Sequence, residues 1–188
     1  MATVREKGAI AKKQLTQRSL LWPGVEPWLW HRTANKGFAT IPKTMPLILQ
    51  IMDDLSKGRP VSQTYLSLWC ETWDNSMASL SKQQELAHAA GFSGQRAIYT
   101  WMGRMQLLQE LRFIDIKAGK SGPMSSAIIW NPHFTIRWHH EKKTPGLVEA
   151  NFNALLERAL ELGANDMFDA VPAAPAPPPP LPEPPSAA

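Results

Sequence analysis

The stretch "LAHAAGFSGQRAIYTWMGRM", Leu86 to Met105, decides how this chain is read. It reads as a helix to Ala90, a break at Gly91-Phe92-Ser93, and a second helix from near Ser93–Gly94 to about Arg112. Gly91 suits the left-handed position after a helix end, where a residue without Cβ meets no clash. In the second helix Ile98, Trp101, Met102, Met105 and Leu108 recur at helical spacing and are expected to be buried. Projected at about 100° per residue, Arg96, Tyr99, Thr100 and Gly103 fall opposite Ile98, Met102 and Met105. Gln95 and Arg104 flank that outer face. Leu107 also projects outward, with nothing in the pattern to explain it.

The flanking sequence gives this pair of helices a context. Ser81, with Gln84 three residues on, reads as a capping box for the first of them. Before it, "MASLS" reads as a brief strand ending at Leu80. Two helices precede the strand. One runs from Thr44 to Gly58, with Thr44 as cap, Pro46 in the first turn, and Leu47, Ile48, Ile51, Met52 and Leu55 as its apolar stripe. The next runs from Ser62, its cap, to about Asn75, with Tyr65, Leu66, Trp69, Cys70 and Trp73 facing inward. Downstream, "FIDIK" and "SAIIW" alternate as strands around the turn-rich "AGKSGPMS", a hairpin with a basic tip. "HFTIRWHH" alternates again and reads as a third strand or as the chain leaving the domain. Thr144, with Pro145 in its first turn, opens a last amphipathic helix over 144–163. Leu147, Val148, Phe152, Leu155, Leu156, Ala159 and Leu160 form its broad apolar face, to be buried on the domain or on a partner subunit.

Helix, short strand, helix, turn, helix, strand, glycine-rich loop, strand is the layout of a winged helix-turn-helix. The expected fold is therefore mainly α with a small antiparallel β-hairpin, the winged helix-turn-helix domain spanning 44–140, with extra N- and C-terminal helices. The chain also resembles that family directly. "LAHAAGFS" resembles its "LA…GhS" lead-in, where h is apolar, through Leu86, Ala87, Gly91, Phe92 and Ser93. "RMQLLQELRFIDI" resembles its "R…L…L…G.I" continuation through Arg104, Leu108, Leu111 and Ile114. The resemblance covers residues 44–135, about half the chain. In general layout the chain is also similar to winged-helix regulators and initiators of plasmids and integrative elements.

The resemblance implies DNA binding, and the residues supply suitable chemistry. A major groove admits one α-helix, and its base edges distinguish all four base-pair orientations. The candidate readers are Gln95, Arg96, Tyr99, Thr100 and Arg104. Arginine donates twice to guanine, glutamine pairs with adenine, and threonine meets a thymine methyl or a phosphate. Gly103 allows close backbone approach. At the hairpin tip, Lys117, Lys120 and Ser121 are expected to meet phosphate or enter the minor groove.

Charge is distributed unevenly. Residues 1–43 hold eight lysines and arginines against two acids, and residues 144–188 hold one against six. Residues 1–20 read as a flexible basic arm in which Arg5, Lys7, Lys12, Lys13 and Arg18 either attract phosphate by counterion release or are simply solvated. Residues 21–43 place Trp22, Trp28 and Trp30 among prolines and a glycine. They read as a segment that packs its aromatics onto the domain or a second subunit; left exposed, they would form a binding patch. From 171 to 188, "VPAAPAPPPPLPEPPSAA" is polyproline II or disordered, without a core of its own.

Other classes find little support. No stretch approaches 18 apolar residues, and the N-terminus lacks the apolar core of a secretory signal. The single cysteine, Cys70, gives no disulfide framework, reads as a small buried residue, and fits a reducing cytoplasm. "AGKSG" lacks the spacing of a phosphate-binding loop. His133, His139 and His140 lie close in sequence without carboxylates at ligand spacing, and Asp53-Asp54 and Glu71 suggest no pairing. No catalysis, cofactor or metal is expected. The sequence points to a cytoplasmic, sequence-specific double-stranded DNA-binding protein, a transcriptional regulator acting at promoter or operator sites as a homodimer. The alternatives are a replication or maintenance factor of a plasmid or mobile element, or a winged-helix adaptor whose proline-rich tail binds a protein partner.

Overall fold

A computed structural model describes residues 4–170, with side chains from Ala9 onward. Helix α1 (Val4–Leu21) and a 3₁₀ turn (Glu26–Trp28) precede α2 (Met45–Leu55) and α3 (Ser62–Glu71). Then come β1 (Met77–Ser79), α4 (Gln83–Ala89), α5 (Ala97–Glu110), β2 (Ile114–Gly119) and β3 (Gly122–Ile129). Helices α6 (Pro132–Glu141) and α7 (Glu149–Leu162) and a 3₁₀ turn (Asn165–Met167) complete the described chain. The three strands form one antiparallel sheet in the order β1-β3-β2. Met77 pairs with Ile128, and Ile114 with Ile129. A short strand, helix, turn, helix and hairpin, with β3 central, make the winged helix-turn-helix arrangement within a mainly helical chain.

One core holds the arrangement together. Ile48, Ile51, Met52 and Leu55 of α2 are buried, as their spacing requires. They join Tyr65 and Leu68 of α3, Trp101, Met105 and Leu108 of α5, Phe113, and Leu155 of α7. Helix α7 covers its own core against α2, burying Phe152, Leu155 and Ala159. Its apolar face is therefore largely satisfied within the chain, although Leu160 remains exposed.

Several local expectations need correction. Ser62 does not cap α3. Asp53 of α2 does, its Oδ1 accepting from the Val61 and Ser62 amides at 2.7 and 2.9 Å and its Oδ2 from the Ser62 hydroxyl at 2.7 Å. A carboxylate here also complements the positive end of the helix dipole. Because α3 stops at Glu71, Trp73 leaves the helical register and is exposed, and Cys70 is exposed too. The Thr44 hydroxyl does not cap α2 but meets His133 Nε2 at 3.0 Å. Ser81 and Gln84 form no capping box. Lys82 occupies the cap position without a side-chain bond, and Ser81 contacts Ser79 Oγ at 3.1 Å.

The segment read as a third strand is helix α6. Asn131 caps it, its Oδ1 accepting from the His133 amide at 2.9 Å, and Pro132 occupies the first turn. Its buried positions, Pro132, His133, Thr135, Ile136 and His139, have helical spacing. Three of them are polar, so hydrophobic periodicity missed the pattern. The last helix begins at Glu149 rather than Thr144. The Thr144 hydroxyl is engaged by His139 Nδ1 at 3.0 Å, and Gly146 adopts φ +108°, which interrupts any helix from Thr144. Finally, the segment read as a flexible arm is helical over Val4–Leu21.

Candidate nucleic-acid interface

The turn between α4 and α5 is built by backbone chemistry. The Phe92 amide donates to Ala87 O and the Gly91 amide to His88 O, both at 2.9 Å, a Schellman ending with Gly91 at φ +84°. Gly94 is left-handed as well, at φ +80°. Helical dihedrals therefore resume only at Ala97, and α5 starts later than the sequence suggests. Gln95 and Arg96 lie exposed in the turn ahead of the helix rather than on its face, with Arg96 as the cap residue.

The orientation of α5 also differs from the expected one. Trp101, Met105 and Leu108 set the centre of the buried face. Leu107, expected outside, is 6% exposed, whereas Ile98, expected inside, is 37% exposed. Apolar residues occur almost all round this helix, and the large Trp101 ring fixes which side packs inward. Of the five candidate readers, Tyr99 projects fully from the helix face, at 81% exposure. Thr100 and Arg104 sit half-buried on its flank. The outward strip is Tyr99, Gly103 and Gln106, with Glu110 at its C-terminal end. Gln106 was missed. The exposed amide follows Tyr99 by seven residues, and that spacing was the available signal.

Gly103 stands in open space, and a Cβ built there meets no atom within 4 Å. Glycine inside a helix costs about 1 kcal/mol relative to alanine. No packing inside the described chain requires this cost.

The opposite end of α5 is anchored by α6. The Phe113 amide donates to Leu108 O and the Arg112 amide to Gln109 O, a second Schellman ending. Here Arg112 occupies the left-handed position, at φ +61°. The glycine of the "G.I" family pattern would fall at this position. The Arg112 guanidinium lies 4.2 Å from the Trp138 ring centroid, and the Arg112 carbonyl accepts from Thr135 Oγ1 at 3.0 Å. His139 contacts Leu111 O through Nε2 at 2.8 Å, which makes Nε2 the donor and leaves Nδ1 to accept from the Thr144 hydroxyl. Burial lowers the His139 pKa; the Leu111 bond opposes the shift and the Arg112 charge adds to it.

The hairpin extends beside this helix. Its tip is closed by Ser125, whose Oγ accepts from the Ser121 amide at 3.1 Å and donates to Gly122 O at 2.9 Å. A Cβ on Gly119 would lie 3.0 Å from Ser125 Cβ and 3.2 Å from its Oγ, so a larger residue there requires Ser125 to shift. Lys120 and Ser121 are exposed at the tip. Lys117 is exposed but pairs with Asp115 at 3.0 Å, which offsets its charge. In α1, Lys12 and Lys13 are exposed, and Arg18 contacts Glu26 at 3.3 Å. The side chains of Arg5 and Lys7 lie outside the described residues.

A second constellation lies away from this surface. The contact between Thr44 Oγ1 and His133 Nε2 is extended by His133 Nδ1, 2.8 Å from Asp166 Oδ2, which also accepts from Asn131 at 2.9 Å. Burial acts to raise the Asp166 pKa, but the bonds from Asn131 and His133 outweigh it and hold the carboxyl below its ordinary value. A hydroxyl–imidazole–carboxylate chain is the arrangement of a nucleophile and its base. Here Thr44 is 1% exposed, and the chain ties the start of α2 to α6 and the last 3₁₀ turn. Its members are 89 and 33 residues apart, which hid it in the sequence. His140 contacts Glu149 Oε1 at 3.1 Å and stacks on Phe152. Among the described residues no three metal-ligating side chains gather, and no helix is long and apolar enough to cross a membrane.

Comparison with family models, curated proteins and solved structures gives no match to this chain.

Proposed function

We propose that the protein binds double-stranded DNA sequence-specifically through α5, with the hairpin as a wing, and acts as a transcriptional regulator by occupying promoter or operator sites. Gly103 carries the reading. It weakens the helix with no compensating contact among the described residues, and it lies half-buried on the outward strip between the exposed Tyr99 and Gln106. A glycine there allows a groove wall to approach the helix backbone closely. Around it stand Tyr99 and Gln106 on the helix, Arg96 and Gln95 in the turn, and Lys120 at the wing tip. Gln106 and Gln95 have the paired donor and acceptor that match adenine, and Arg96 and Lys120 supply positive charge for guanine or phosphate.

Binding as a homodimer is part of the proposal. Since α7 is largely used to close the chain's own core, its exposed Leu160 and the N-terminal segment are the remaining candidate contacts.

Gly103→Ala provides the test, because its two effects have opposite signs. The substitution should stabilise the fold by about 0.5–1 kcal/mol through helix propensity. It should also weaken binding to a duplex selected from a random pool by about tenfold, the size of one displaced groove contact. Stabilisation with unchanged affinity, or no selection of any duplex by the native protein, refutes the assignment.

A further inference from the structure

The aromatic side chains of the tryptophan segment are not buried on the domain, although Trp69 Nε1 donates to Thr40 O at 2.9 Å. Trp28 is 89% exposed, Trp30 is 62% exposed, and Trp22 and Phe38 are exposed beside them. The segment is nonetheless organised. Arg18 of α1 contacts Glu26, Trp30 meets Phe38 edge to face at 6.0 Å, and the Arg32 guanidinium lies 5.7 Å from the Phe38 ring. Around the Trp30–Phe38–Arg32 contact the same segment exposes Trp22, Trp28, Lys36 and Lys43, and its one acid, Glu26, is already engaged; these residues form the aromatic platform. Clustered exposed aromatics of this kind mark an interaction surface.

We propose that the platform docks the proline-rich tail, residues 171–188, of the same molecule. Aromatic surfaces take up proline-rich chains because the polyproline II form is already extended and loses little entropy on docking. The tail supplies nine prolines within 18 residues, and its only charged side chain is Glu183, opposite in sign to the free cations of the platform. Where the tail begins favours the same molecule. Arg137 Nη1 donates to the carbonyls of Asp166 and Asp169, which fixes the chain just before residue 171. That point lies close to the C-terminal end of the tryptophan segment and to α1, since a cavity of about 890 Å³ is lined jointly by Gln14 of α1, by Pro42 and Lys43, and by Ala164 and Asp166. Eighteen residues at about 3.1 Å each reach roughly 56 Å, far more than the roughly 12 Å of α1 between Gln14 and Trp22 could demand. Tethering also raises the local tail concentration to the millimolar range, so a weak contact suffices.

A spin label on the tail of the full-length chain tests the proposal. Cys70 is replaced (Cys70→Ser) and the label is attached at Ser186→Cys, leaving the platform untouched. The indole N–H signals of the eight tryptophans are then followed, with assignments from single Trp→Phe variants. The signals of Trp22, Trp28 and Trp30 should lose most of their intensity, while that of the buried Trp101 is retained. Replacing Pro177, Pro178, Pro179 and Pro180 by alanine should restore them. Uniform retention of all eight signals overturns the proposal. So does a loss that appears when labelled protein is mixed with a second, isotope-labelled copy, which would place the tail on another molecule. A single-stranded oligonucleotide that shifts these three signals in the unlabelled native protein as strongly as in the four-alanine variant would assign the platform to nucleic acid and overturn it equally.

Discussion

His139 joins the end of α5 to α6, and its removal has a calculable cost. The ring is 2% exposed, lies 5.9 Å from Phe113 and 5.0 Å from Trp138 between centroids, and satisfies Leu111 O. His139→Ala leaves that carbonyl without its partner, at about 1–3 kcal/mol. It also opens a cavity beside two aromatic rings, at about 2–3 kcal/mol. The sum, about 3–6 kcal/mol, is a large part of the stability of a typical domain. His139→Gln keeps an amide donor and loses the proton-binding group, so it isolates the pH effect. The folded pKa of His139 is below its ordinary 6.5. The unfolded chain therefore binds the proton first, and the stability present above pH 6.5 is lost as pH falls through the folded pKa. The slope in that window reaches at most about 1.4 kcal/mol per pH unit. The Asp166 carboxyl, also lowered, adds its own loss only below about pH 4, so the two windows separate. Urea unfolding followed by circular dichroism at pH 7.5 and 5.5 measures the difference. If His139→Gln keeps the native slope, or His139→Ala costs less than about 1 kcal/mol, the anchoring role of this imidazole is wrong.

Two further outcomes follow from side-chain geometry. Asp53→Ala removes the three hydrogen bonds that begin α3 and should cost about 2–4 kcal/mol in urea unfolding; a loss no larger than that of a surface substitution, about 0.5 kcal/mol, would contradict the capping role. Gly119→Ala should force Ser125 away from Gly122 O, exposing the wing amides to hydrogen exchange and weakening duplex binding, while global stability falls by only about 1 kcal/mol. Unchanged protection of the Ser121 amide would show that the wing tip tolerates a Cβ after all.

The elements from α2 to the hairpin were legible because each has a local cause. The α2 stripe, the Gly91 ending and the alternating hairpin strands each follow from spacing or backbone freedom within a few residues. The same holds for Gly163, which ends α7 at φ +69°. The caps were not legible, since Asp53 reaches α3 from another helix and Thr44 and Thr144 spend their hydroxyls on histidines. Helix α6 had a local signal in Asn131-Pro132, but the polar His139 and Thr135 occupy buried positions only because Thr144, Leu111 and Arg112 satisfy them.

At the candidate interface the division is similar. The sequence by itself determined that α5 exists, that a turn with a left-handed Gly91 precedes it, and that a glycine-rich hairpin follows; the left-handed Gly94, which delays the start of α5, came from the structure. These features depend on backbone geometry and on residue spacing along a single segment. Only the tertiary structure decided which side of α5 faces out. Its apolar residues lie nearly all round, and burial of the large Trp101 ring in the core selects one rotation among several. That choice leaves Tyr99 and Gln106 exposed with the half-buried Gly103 between them, draws Thr100 and Arg104 toward the flank, and leaves Gln95 and Arg96 in the turn.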